Sequence, residues 1–100
     1  MMVRLCVRVT RADIGAGVKN DCQRCPVALA LGRATGLDWD ADLEWLRPKG
    51  TAFQERVATP DSVRRWMNDF DFCAHRGRLR PCTFCVDVPL RTLLGASLRG

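Results

Sequence analysis

The chain has no tyrosine, a single histidine (His75) and only two lysines (Lys19 and Lys49). One histidine in a glycine-containing basic stretch leaves little for general acid–base chemistry. No G-x-S-x-G nucleophile elbow and no glycine-rich phosphate loop is found. No catalytic residue is therefore assigned. Apolar runs are short: nothing approaches the 18 or more residues of a membrane span. Met1 to Ile14 is interrupted by Arg4, Arg8 and Arg11, so no signal peptide is read there. The resulting expectation is a cytoplasmic protein whose six cysteines are reduced thiols, used in core packing, metal binding or redox chemistry.

What is present is ordinary globular composition, 47% hydrophobic and 27% charged, over a length that suits one domain. The net charge of +5 comes from 14 arginines rather than lysines, which reflects a GC-rich coding source more readily than a functional choice. A charge of this size permits nucleic-acid binding without demonstrating it.

Residues Val3 to Val9 alternate strictly, with Val3, Leu5, Val7 and Val9 on one face and Arg4, Cys6 and Arg8 on the other. This is a half-buried strand. Thr10, with Asp13 three residues on, forms a capping box for a short helix over 11–16. Pro26 opens an apolar helix that should end near Thr35, with Gly36 as left-handed cap. A second alternation, Trp39, Ala41, Leu43 and Trp45 against Asp38, Asp40, Asp42 and Glu44, predicts a strand over 38–45. Pro48-Lys49-Gly50 then turns the chain into a returning strand over 51–58. Thr59 is the expected cap of a helix whose stripe is Val63, Trp66, Met67 and Phe70. Phe84, Val86 and Val88 mark a closing strand, and residues 90–100 read as a short helix or a loose tail. The fold class is α+β, a single domain over 1–100 in the order β-α-α-β-β-α-β. Its mostly antiparallel sheet should gather all the strands, with helices on one face.

The cysteines admit three readings. Cys22-x-x-Cys25 and Cys82-x-x-Cys85 have the form of two halves of a four-thiolate zinc site. Against it stand their separation, the missing knuckle glycines, and the geometry of a regular strand, which turns residues three apart to opposite faces. A local variant would use Cys73, His75, Cys82 and Cys85. In the redox reading, Cys22 and Cys25 lead into a helix N-terminus whose dipole depresses a thiol pKa, while burial of Cys25 would raise it. Cys6 reads as a small packing residue. The acidic row fails as a calcium loop, because the sixth and twelfth places from Asp38 hold Leu43 and Lys49. It reads instead as a solvated strand face, relieved by Arg4, Arg8 or Arg56. Arg76, Arg78 and Arg80, near Arg64 and Arg65, are the candidate contact for a partner protein or a phosphate backbone.

The segments Ala12-Asp-Ile-Gly-Ala-Gly17, Cys25-Pro-Val-Ala-Leu-Ala-Leu31 and Val63-Arg-Arg-Trp-Met-Asn-Asp-Phe70, with the closing strand, resemble a family of small proteins encoded mainly by bacteriophages of GC-rich actinobacteria. The family carries no assigned activity, so the resemblance brings no site residues. Its closing strand reads Pro-Phe-x-Phe where this chain has Pro81-Cys-Thr-Phe84, which places Cys82 in an aromatic packing position. The resemblance implies a phage accessory protein that binds a host or phage macromolecule in the host cytoplasm. Three functions are carried forward: a non-enzymatic protein-binding factor, a zinc-stabilised nucleic-acid module, and a thiol-active redox protein.

Overall fold

A computed structural model of the chain describes residues 1–51 and 56–99, with side chains described as far as residue 94. The elements are β1 (Met2–Val9), α1 (Arg11–Ala16), α2 (Pro26–Thr35), β2 (Trp39–Ala41), β3 (Trp45–Pro48), β4 (Val57–Ala58), α3 (Asp61–Phe72), β5 (Cys82–Pro89) and α4 (Leu90–Arg99). The class is α+β, with antiparallel sheets.

The alternation in β1 and β5 sets their faces. The two strands form an antiparallel ribbon in which Val3 opposes Val88, Leu5 opposes Val86, Val7 opposes Phe84 and Val9 opposes Cys82. That row faces the core. The other row, which includes Arg4, Cys6, Arg8, Thr83 and Asp87, is open to solvent. The ribbon thus packs through one face only.

A single sheet does not form. β2, β3 and β4 make a separate three-stranded meander. An apolar row needs a cover, not a hydrogen-bonded neighbour, and α2 supplies the cover. Its Val27, Ala30 and Leu31 are wholly buried in one cluster with Val7 and Val9 of β1 and with Trp39 and Ala41 of β2. A helix apolar nearly all round can serve two sheets at once.

The strand expected over 38–45 is interrupted by a turn. Asp42 Oδ1 accepts hydrogen bonds from the backbone N–H of Glu44 (2.8 Å) and Trp45 (2.7 Å), an Asx turn that outcompetes extended backbone. Trp39 and Ala41 remain inward. After the turn the buried positions shift to Leu46 and Pro48, which oppose Ala41 and Trp39 in register. Leu43 is left at the tip, and Trp45 is half-buried beneath the Arg56 guanidinium, 4.3 Å from its ring centre. Leu43 and Trp45 therefore do not join Trp39 in the buried core. The Asp40 carboxylate is met by Arg47 across the ladder at 3.4 Å. Of the strand expected over 51–58, Val57–Ala58 is observed, and 52–55 lie outside the described residues.

Helix signals held where capping chemistry was local. Thr10 and Asp13 form the capping box of α1. Gly36 closes α2 at φ 76°, a left-handed conformation that favours glycine. Gly17 has another duty, since a Cβ there would lie 2.5 Å from Cγ of Pro26. At α3 the cap differs. Thr59 turns away, its hydroxyl donating to the Asp42 carbonyl at 2.8 Å, and Pro60 occupies the cap position without a side-chain bond. Val63, Met67 and Phe70 are buried, whereas Trp66 is half-buried, stacked on Phe70 at 5.9 Å.

Asp13 is also the hub of a polar contact that the sequence left unread. Its two oxygens accept a forked pair from Arg33 at 2.6 and 2.9 Å, and Oδ2 also accepts the Thr10 N–H at 2.8 Å. Burial alone would raise the carboxyl pKa, but the Arg33 and Thr10 bonds outweigh it and hold Asp13 below the usual carboxylate value. A depressed pKa contributes stability above the unfolded value and loses it as pH falls through the folded one. Asp13→Asn is expected to cost roughly 1–3 kcal/mol at neutral pH, discounted for the half-exposed Arg33. In acid melts below about pH 4 the gap between variant and parent should close.

Candidate functional site

The six cysteines are dispersed by the fold. Cys6 and Cys85, directly opposed on the outer face of the ribbon with Cα atoms 4.0 Å apart, are joined in a disulfide. Cys6 is thus a cross-strand link, not a packing residue, and two of the six thiols expected to be reduced are not. Cys82 begins β5 and points inward against the core, so Cys82 and Cys85 face opposite ways. The sets Cys22, Cys25, Cys82, Cys85 and Cys73, His75, Cys82, Cys85 are not brought together. Among the described residues no cluster of three or more metal-ligating side chains occurs.

Cys25 is the N-cap of α2 and is buried, its thiol accepting from the Ala28 N–H at 3.4 Å and donating to the Ala41 carbonyl at 3.7 Å. Burial pushes this thiol up to about 11. Cys22 is raised as well, by burial and then by the neighbouring charges of Asp40 and Asp21. The pair is therefore the reverse of an activated thiol motif, because desolvation and carboxylates override the helix dipole.

The arginines separate into two groups. Arg76 folds inward: its guanidinium donates to the Ile14 and Gly15 carbonyls at 3.3 and 3.1 Å, closing the open C-terminal end of α1, and lies 5.2 Å from the Phe70 ring centre. Arg64 donates to the Leu43 carbonyl at 2.9 Å and lies 3.7 Å from Asp61, and Arg65 donates to the Asp61 carbonyl at 3.5 Å. Arg78 and Arg80 are exposed, with no side-chain hydrogen bond or ion pair among the described residues. Two unengaged arginines support only sequence-blind nucleic-acid binding driven by counterion release. In a filter-binding series across salt, affinity should collapse toward physiological ionic strength and show no sequence preference.

A concavity of different character lies elsewhere. A cleft of about 190 Å³ opens between the loop before α2, the β2–β3 turn and α3. Its apolar lining comes from Pro26, Ala41, Met67 and Phe70, with Leu43 and Trp66 as partly exposed apolar contributors. Asp21, Asp42 and Asp71 stand around it, and no lysine or arginine lines it among the described residues. Each carboxylate is fixed through its Oδ1. Asp21 accepts from the N–H groups of Gln23 and Arg24 at 3.0 and 3.2 Å. Asp42 holds the Asx turn, and Asp71 accepts from the Asn20 N–H at 3.1 Å. The loop is tied down further by Ala41 N–H to the Cys22 carbonyl at 2.8 Å, and by Lys19, whose ammonium donates to the Cys73 carbonyl. Asn20 takes φ 58° at the bend, a conformation asparagine tolerates.

No family model, curated protein or solved structure matches the chain. The site must be read from its own chemistry.

That chemistry is specific in one respect. The three carboxylates come from positions 21, 42 and 71, on three separate elements, and only the fold unites them. The acidic row noticed in the sequence contributed Asp42 alone. The cleft can receive a narrow apolar chain ending in a cation, the ammonium or guanidinium meeting carboxylates as the stem lies along the apolar lining.

Proposed function

We propose that the protein is a non-enzymatic binding module that engages another protein by taking a lysine or arginine side chain of the partner into this cleft. The carrying observation is an apolar-floored cleft bordered by three carboxylates, with no lysine or arginine among its described lining residues, on a chain whose net charge is +5. Charge complementarity of this kind selects partners and speeds encounter more than it adds affinity. The half-buried Trp66 ring adds a surface for the cation and its stem. With the resemblance to actinobacteriophage proteins, the partner is a host or phage protein presenting a basic segment.

Peptides selected from a random displayed library on the folded protein test this reading. Selected sequences should carry Lys or Arg beside an apolar residue. Asn at positions 21, 42 and 71 keeps each Oδ1 acceptor while removing the charge. The triple variant should weaken binding by more than about tenfold, at roughly 0.5–1 kcal/mol for each partly exposed pair. Enrichment of acidic peptides, or indifference to the triple variant, would reject the cleft as the binding site.

A further inference from the structure

The outward face of the β1–β5 ribbon carries a second chemistry, independent of the cleft. Cys6 is exposed and Cys85 partly so, on the solvent side of the ribbon. Along β1, Arg4 and Arg8 lie on the same face, two residues to either side of Cys6, about 7 Å away along the strand. Both are exposed, and neither side chain makes a hydrogen bond or ion pair among the described residues. Opposite them on β5 stand Asp87, across from Arg4, and Thr83, across from Arg8. The sulfur pair is thus reachable from solvent and bracketed by two unengaged cations.

Thiol–disulfide exchange proceeds by attack of a thiolate on one sulfur, so both thiolate access and local charge set its rate. A positive surround draws an anionic thiol in. We propose that Cys6–Cys85 is an exchange site for small thiols bearing carboxylates, which form a mixed disulfide at Cys6. The incoming thiolate sulfur bonds to Cys6 Sγ. The Cys6–Cys85 bond breaks, and its electron pair leaves on Cys85 Sγ, which takes a proton from water. The carboxylates of the attached thiol then lie against Arg4 and Arg8. A second thiolate attacking the mixed disulfide at the small-molecule sulfur releases the oxidised small disulfide and leaves Cys6 as a thiolate. The sum is two thiols oxidised to one disulfide and the protein bond reduced by two electrons.

The choice of Cys6 as the attacked sulfur follows from its greater exposure, the two arginines on its own strand serving to draw the anionic thiol in. The other cysteines do not share this setting. Cys25 is buried, Cys82 lies against the core, and Cys22 is surrounded by carboxylates rather than cations.

The test uses the native full chain with three thiols of different charge: glutathione (anionic), 2-mercaptoethanol (neutral) and cysteamine (cationic). Adduct formation is followed by intact mass after alkylation of free thiols, rates are normalised to thiolate concentration, and the site is found by peptide mapping. At low salt glutathione should react about tenfold faster than cysteamine, the lower end of electrostatic rate enhancements. The adduct should map to Cys6. The preference should vanish near 1 M salt, where screening acts within about 3 Å. It should also vanish in the Arg4→Gln/Arg8→Gln variant, whose melting temperature verifies that it is folded. Equal normalised rates for the three thiols, an adduct confined to Cys85, or exchange seen only in denaturant would each overturn the proposal.

Discussion

Replacing both Cys6 and Cys85 with serine is expected to lower unfolding stability by about 4 kcal/mol. The bond joins residues 79 apart in sequence, and the chain-entropy cost of closing a loop of that size in the unfolded state is on the order of 4–5 kcal/mol. A domain of this length commonly has only about 5–15 kcal/mol in all. Among the described residues β1 pairs with β5 alone, so no other strand there holds it in a ladder. The melting temperature should fall on the order of 15–30 °C, at roughly 4–8 °C per kcal/mol for a domain this small. Reductant should lower the melting temperature of the parent toward that of the double variant and leave the double variant unchanged. A parent whose melting is insensitive to reductant would show that the link adds nothing to stability.

The second large effect is expected at Phe70. Its ring is 1% exposed, belongs to the common core, and forms part of the cleft lining. Truncation to alanine removes a full aromatic side chain and leaves a cavity, at about 3–5 kcal/mol. Trp66 has the same spacing on α3 but is half-buried, with its indole N–H donating to the Arg80 carbonyl at 2.8 Å. Trp66→Ala should therefore cost less, about 1–3 kcal/mol, the difference being the solvent its ring already meets. Denaturant unfolding of the two variants at equal pH compares them directly. A larger loss at Trp66 would mean that α3 is rotated about its axis from the orientation described.

How far the fold could be read in advance follows from the range of the interactions that set it. The faces of β1 and β5 were legible because strict alternation in Val3–Val9 and Phe84–Val88 needs nothing beyond the strand itself. The ends of α2 were legible because Pro26 and Gly36 act through their own backbone dihedrals. The β2–β3 turn was not. The row Trp39, Ala41, Leu43, Trp45 suits one long strand, and only the full burial of Leu46 reveals that the inward set changes parity after Asp42. An aspartate able to bond two following N–H groups was the available signal.

Register explains most of what the site readings missed. The sequence shows that Cys6 and Cys85 are outward, but their pairing needs β1 and β5 aligned to the residue. Arg76 looked like part of a free basic loop because its acceptors, Ile14 and Gly15, are about sixty residues away. The cleft was invisible for the same reason: Asp21, Asp42 and Asp71 share no segment, and each reads alone as a turn or helix-surface residue. The Cys22/Cys25 spacing was visible, yet its chemistry was decided by the burial of Cys25 and the carboxylates around Cys22.

On the proposal above, the cleft between α2, the β2–β3 turn and α3 receives a cationic side chain of a partner protein. Its most direct test is a titration of the isotope-labelled full chain with a library-selected basic peptide, followed by amide chemical shifts. Saturable shifts should concentrate at residues 20–25, 41–43 and 66–71 and be lost when the peptide's lysine or arginine is replaced by glutamine. Shifts centred on Arg78 and Arg80, or unchanged by that replacement, would contradict it.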